Sequence, residues 1–131
     1  MKLLLDTHIW LWSRGQPDKL TPRVARELTR ADNELWLSPI SLWEVGLLVE
    51  KGRLRLDPDL EEWIAAAMRR VSVREAPVTF EVAAETARLG FAHRDPADRF
   101  LAATARVFDL TLVTADQRLI DAPGLSILAN R

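Results

Sequence analysis

The sequence predicts an α/β protein, a three-layer α/β/α sandwich on a parallel, mostly five-stranded sheet. Three observations predict it. Residues 2–6 read Lys-Leu-Leu-Leu-Asp; three consecutive leucines cannot alternate between a wet and a dry face, so this strand is buried on both. Strand-like and helix-like segments then alternate along the chain, the pattern of a parallel sheet covered on both faces. Finally, the leucine run stops at Asp6, which places a carboxylate at the carboxyl end of a central strand, the edge where open α/β sheets bind ligands. With strand 1 central and crossovers right-handed, the expected strand order is 3-2-1-4-5. At 131 residues the expectation is one domain, 1–131.

Each element has its own signal. Residues 7–12 form a short apolar helix, and 15–18 a loop. Thr21 caps a helix with Pro22 at its first position, running to about Ala31 with Val24 and Leu28 inward. Residues 34–37 are strand 2. Ser38-Pro39 opens a helix from Ile40 to about Lys51, closed by Gly52. Asp57-Pro58 opens another, to Arg70, and 71–73 is a short strand. Thr79 caps a helix ending near Gly90. Asp95-Pro96 starts a long helix to about Phe108; 110–114 is a strand, 116–120 a short helix and 125–128 the last strand.

Composition narrows the function. The 48% hydrophobic and 28% charged content is ordinary for a globular protein. Net charge is −1, so a nucleic-acid substrate would need a local basic patch. No cysteine is present, which removes disulfides, thiol nucleophiles and Cys-based zinc sites and fits a reducing compartment such as the cytoplasm. The start lacks the apolar run of a signal peptide, and no stretch approaches the ~18 apolar residues of a membrane span. The apolar residues Leu42, Trp43, Leu47, Leu48, Leu54, Leu56, Trp63 and Ile64 exceed what one small core hides and point to self-association or a protein partner.

Carboxylates gather at the predicted carboxyl edge. Asp6 and Asp116 follow strands, Glu44 lies in the helix after strand 2, and Asp95 and Asp98 lie in the first turn of the long helix. Each has a plain structural role available. Asp6 and Asp116 suit helix N-caps, Asp95-x-x-Asp98 approximates a capping box, and Ser41-x-x-Glu44 has that spelling outright. Their coincidence at one edge is harder to explain by capping. At 4 Å two such charges repel by about 4 kcal/mol at an effective dielectric of 20, and a helix N-terminus offsets only about 0.3–1 kcal/mol. A divalent cation offsets more, and oxygen-only donors suit Mg²⁺ or Mn²⁺.

At these residues the chain resembles the PIN-domain ribonucleases, specifically the VapC-type toxins of toxin–antitoxin pairs. Four stretches carry the resemblance, in order along nearly the whole chain. They are Leu3-Leu4-Leu5-Asp6-Thr7-His8, Ser38 through Glu44 (SPISLWE), Asp95-Pro96-Ala97-Asp98-Arg99 continuing to Ala105, and Leu112-Val113-Thr114-Ala115-Asp116. The family's acids map onto Asp6, Glu44, Asp98 and Asp116, with Asp95 an auxiliary and Thr114 the hydroxyl near the fourth acid. The resemblance implies an endoribonuclease dependent on Mg²⁺ or Mn²⁺, frequent homodimers, and an antitoxin protein that plugs the site.

The expected chemistry is hydrolysis of RNA phosphodiesters with metal assistance. Asp6 and Asp98 are the expected direct ligands, Asp116 completes the site, and Glu44 ligates or orients the attacking water. Arg94, Arg99 and Arg118 flank the acids and are candidate phosphate contacts; Arg99 also has Asp95 one helical turn away as an ion-pair partner. His8 is expected to pack or cap, and His93 lies in a loop. Trp10, Trp12, Trp36, Trp43 and Trp63 are expected mostly in the core. Two rivals of the same sheet type need a late lysine, and none follows Lys51. They are a phospho-receiver domain and a haloacid-dehalogenase-type phosphatase, which also needs an aspartate where His8 stands. The alternative from another class is a catalytically silent PIN-like scaffold acting through protein partners.

Overall fold

The computed structural model describes residues 1–56, 59–70, 72–91 and 95–131. The expected helix start at Asp57-Pro58, the expected strand residue Val71, the loop residue His93 and the candidate phosphate contact Arg94 lie outside them. Five parallel strands, β1 (Lys2–Leu5), β2 (Glu34–Leu37), β3 (Arg74–Glu75), β4 (Thr111–Thr114) and β5 (Ile127–Ala129), run in the order β3-β2-β1-β4-β5. This is the expected order, with β1 in the middle.

The three leucines account for that position. Leu3 and Leu5 face one core cluster, with Ile9, Trp10, Val24 and Val45. Leu4 faces the other, with Leu101, Ala102, Leu112 and Leu119. The strand is therefore buried on both faces, and burying a leucine side chain contributes about 1.5–3 kcal/mol. The first cluster is covered by α1 (Thr7–Gly15), α2 (Pro22–Thr29), α3 (Pro39–Glu50) and α4 (Leu60–Arg70). The second is covered by α6 (Pro96–Val107) and α7 (Gln117–Ile120), with α5 (Phe80–Glu85) packed on α6.

The helix starts follow their caps. Thr21 accepts from the Val24 amide, Ser38 from Ile40 and Thr79 from Val82, and proline occupies the first turn of α2, α3 and α6. Gly52, with φ +71°, turns the chain after α3, a conformation that costs glycine little. Several boundaries differ from the sequence reading: α1 runs to Gly15 rather than residue 12, a 3₁₀ turn, Pro17–Lys19, lies in the expected loop, and the last strand is Ile127–Ala129 rather than 125–128. The third strand is Arg74–Glu75 rather than 71–73: its residues are set by pairing with Trp36 and Leu37, while Val73 packs its side chain on the first core cluster. The helix capped by Thr79 stops at Glu85 and continues as a 3₁₀ turn, Thr86–Arg88.

An acidic cleft at the carboxyl edge of the sheet

Asp6 directly follows β1. Its amide bonds to Val113 O of β4 (3.0 Å), which continues the ladder one residue beyond the strand. Asp6 is only 8% exposed, and its carboxylate accepts two hydrogen bonds. Oδ1 accepts from the Thr7 amide at 2.8 Å, and Oδ2 from the Thr114 hydroxyl at 2.6 Å. Asp6 is thus the N-cap of α1 as well. Burial pushes its carboxyl above the ordinary range, while Thr114, Thr7 and the nearby His8 pull it back and Asp116 pushes it further up.

Capping places two more acids. Asp116 caps α7 by accepting from the Arg118 amide at 2.9 Å, and its own amide donates to Thr114 Oγ1 at 3.0 Å. Asp95 caps α6 by accepting from the Ala97 amide at 3.0 Å. The capping and clustering readings are therefore one fact. The helices that Asp6, Asp95 and Asp116 cap all begin at the same edge, so their caps meet there. Asp98, in the first turn of α6, is buried. Burial first, and then the charges of Asp6, Asp95, Asp116 and Glu44, push its carboxyl up to about 8.

Glu44 reaches the cluster from inside α3. Ser38, not Ser41, caps that helix, so the apparent Ser41-x-x-Glu44 capping box serves another purpose. The Thr7 hydroxyl lies 2.5 Å from Glu44 Oε1 and 3.0 Å from the Ser41 hydroxyl. A hydroxyl carries one proton, which goes to the carboxylate, leaving Thr7 Oγ1 to accept from Ser41. Burial raises the Glu44 carboxyl; the Thr7 bond lowers it, and Asp6 and Asp95 raise it again. Sequence reasoning passed over Thr7 and Ser41 as site residues. The available signal was a pair of hydroxyls, one next to Asp6 and one a helical turn before Glu44.

Together these residues line one cleft of about 360 Å³: Asp6, Glu44, Asp95, Asp98 and Asp116, with His8, Trp12 and Ala115 completing the wall. No lysine or arginine is among its described lining residues. An all-oxygen, net-anionic donor set suits a hard divalent cation. Among the described residues, no three of these carboxylates converge tightly enough to form a ready-made ligand set. His8 does not cap; its ring lies 5.9 Å from Trp12 on the cleft wall.

The expected phosphate contacts fare differently. Arg99 donates to Phe91 O at 3.3 Å and to Thr86 O, so its guanidinium ties the segment before α6 to that helix. Arg118 is exposed on α7, two residues after Asp116. Of the tryptophans, Trp10 is buried edge-on to Trp63, whereas Trp43, next to Glu44, is 54% exposed.

Known proteins give the same picture. The PIN domain family model matches residues 3–125. Ribonuclease VapC22 of Mycobacterium tuberculosis (strain ATCC 25618 / H37Rv) is 34% identical over 118 residues, 89% of this chain and 88% of that protein. Among solved structures, VapBC2 from Rickettsia felis bound to a DNA fragment from its promoter superposes with a TM-score of 0.75. It is 18% identical and covers 98% of each chain. DNA-bound VapBC from Salmonella typhimurium gives 0.69 at 21% identity, covering 100% of this chain and 99% of that one. At such identities the two structures speak to the fold, while the family model and the 34% relative speak to descent: the chain belongs to the PIN-domain family and, within it, to the VapC proteins.

Proposed function

We propose that this chain is a divalent-metal-dependent endoribonuclease, the toxin of a toxin–antitoxin pair, acting in the cytoplasm with Mg²⁺ or Mn²⁺. The observation that carries the reading is the cleft: five carboxylates from four segments, with no lysine or arginine among the described residues that line it. Capping explains where three of them stand, but not why Asp98 is buried among the others with its carboxyl pushed up to about 8. Carboxylates packed this closely raise one another's proton affinity, and a divalent cation bound among them would lower it.

Asp6 and Asp98 would hold the ion, with Asp116 completing the site and Asp95 auxiliary. Since no three acids already converge among the described residues, part of the shell would be water, which Mg²⁺ commonly retains. A bound cation supplies charge neutralisation at the scissile phosphate and lowers the pKa of water. The chain's own residues do the rest. Thr114 holds Asp6 Oδ2. Thr7 holds Glu44 Oε1, which turns that carboxylate toward the cleft to orient the attacking water. Burial raises the Glu44 carboxyl above its usual range, which strengthens it as a proton acceptor. Arg118, exposed two residues after Asp116, would contact the substrate's phosphates.

The relative is named a ribonuclease, and the solved structures of this fold are titled as VapBC assemblies, which supports RNA as substrate and an antitoxin protein as partner. A second copy of the chain is the other proposed partner. The test is direct. Chain freed of its partner should cut RNA with Mg²⁺ or Mn²⁺, and equal activity in excess EDTA would overturn the reading.

A further inference from the structure

The groove beside the acid cleft carries the opposite charge. His8 and Trp12 line the cleft and also a larger groove of about 530 Å³, so the two spaces adjoin along α1. Residues 8, 11, 12 and 15 form one stripe of that helix and face the groove, while Ile9 and Trp10 are buried in the core. The opposite wall is the stretch from Arg53 to Leu56 after α3, with Trp63 of α4.

Arg14, Lys19, Arg53 and Arg55 line this groove, and no carboxylate is among its described lining residues. In a chain of net charge −1 this is a local concentration of cations, not a reflection of overall composition. The Lys19 ammonium stands 5.6 Å from the centre of the half-buried Trp12 ring. Beyond the groove, Arg14 and Trp63 also line a third cleft, of about 450 Å³, where Arg69 and Arg70 stand with the single carboxylate of Glu62, so that arginines outnumber acids. Arg14 Nε is buried without a hydrogen-bond partner among the described residues. A cationic path therefore leads from the acid cleft along α1 to the end of α4.

We propose that single-stranded RNA leaves the acid cleft along this groove, with its phosphates on Arg53, Arg55, Lys19 and Arg14 and a base on Trp12. The proposal rests on the ribonuclease reading and adds a substrate track to it. Charge selects the occupant. A basic peptide drawn to the carboxylates would meet four like charges as it extended into the groove, whereas a polyanion is attracted along its whole length. The stripe from His8 to Gly15 spans about 10 Å at 1.5 Å per residue, room for about three stacked nucleotides at about 3.4 Å each. Aromatic rings among cations are the usual equipment for unpaired strands.

The test uses the full chain and a labelled 12-nucleotide single-stranded RNA. Affinity is read by anisotropy in EDTA across a salt series, and KM by cleavage with Mg²⁺. For Arg53→Ser with Arg55→Ser, both exposed, Kd and KM should rise about tenfold, and the salt slope should fall by about 1.4, or 0.7 per lost phosphate contact. Trp12→Leu should weaken binding about tenfold without changing that slope. Arg23→Ser with Arg26→Ser, the same charge change on the exposed side of α2, should alter neither Kd nor slope. Wild type that cuts RNA while the folded Arg53/Arg55 variant keeps its KM and slope overturns the track alone. So does a variant that loses a neighbouring gene's protein partner but keeps its RNA affinity, since the groove would then be a protein-docking site. Wild type that neither cuts nor binds RNA overturns the ribonuclease reading and the track with it.

Discussion

Thr114, the last residue of β4, donates its hydroxyl proton to Oδ2 of Asp6, the residue after β1, across 2.6 Å. The bond joins residues 108 apart in sequence, and both are buried. It lowers the proton affinity of a carboxylate that burial raises. Thr114→Val keeps the shape and removes both the donor to Asp6 and the acceptor of the Asp116 amide. The metal-free protein should lose about 1–3 kcal/mol, the cost of leaving a buried acceptor short of a partner, and Thr114→Ser should retain most of it. Urea unfolding in EDTA measures this; a valine variant as stable as wild type would mean the bond contributes nothing.

Asp6→Asn separates a metal site from capping, and Asp98→Asn tests the buried acid that is not the N-cap of its helix. Asparagine caps about as well as aspartate, so pure caps would tolerate the change. As metal ligands, each substitution removes a charged donor and relieves repulsion. RNA cleavage should collapse, while metal-free stability holds or rises by about 1 kcal/mol, a fraction of the Coulomb repulsion between neighbours. Wild type should gain stability with the logarithm of Mg²⁺ concentration, and the variants much less. Melting curves with and without Mg²⁺, run beside cleavage assays, decide between the two.

The raised carboxyl of Asp98 sets a pH trend. Its proton leaves at about 8 in the folded chain, against 3.8 for the free group. Between those values the folded state holds a proton that the unfolded state has given up. Stability from this group is therefore complete at the acid end and is lost as pH rises toward 8. In EDTA the melting temperature of wild type should fall over that window, and more steeply than that of Asp98→Asn. Parallel profiles for the two proteins would contradict the assignment.

Glu44 depends on a hydroxyl 37 residues away in sequence. Thr7→Val removes the donor while leaving the Thr7 amide on Asp6. Loss of one oriented hydrogen bond, about 1.4 kcal/mol, corresponds to about a tenfold fall in kcat. Thr7→Ser should restore the rate. A positioning role moves kcat and leaves KM near its wild-type value; a change confined to KM would assign Thr7 to substrate binding instead.

Trp43 stands 54% exposed on α3, and Phe80 is 97% exposed at the start of α5. The chain should self-associate at high concentration, and Trp43→Ser should shift it toward monomer by analytical ultracentrifugation. A strictly monomeric wild type that also forms no complex with a neighbouring gene product would refute both proposed partners.

The sequence by itself determined the doubly buried first strand and most helix starts, because those signals are local, while the expected order 3-2-1-4-5 was settled by the strand pairing. Leu3-Leu4-Leu5 demands a strand buried on both faces, and Thr21-Pro22, Ser38-Pro39 and Asp95-Pro96 each satisfy a helix start within a few residues. It also located Asp6, Asp95, Asp98 and Asp116 at one edge, since strand ends and helix starts share that edge in a parallel sheet. Tertiary structure decided what no local signal carries. The strand Arg74–Glu75 has neither apolar alternation nor length, and exists only through its pairing with Trp36 and Leu37. Arg99 has an acid one turn away in sequence, yet its guanidinium is taken by the carbonyls of Thr86 and Phe91. The hold of Thr7 on Glu44 and of Thr114 on Asp6, and the facing of Arg53 and Arg55 onto the stripe of α1, join segments that only packing brings together. A chain encodes its helix caps one turn at a time, but a shared cleft is encoded only by how those turns are stacked.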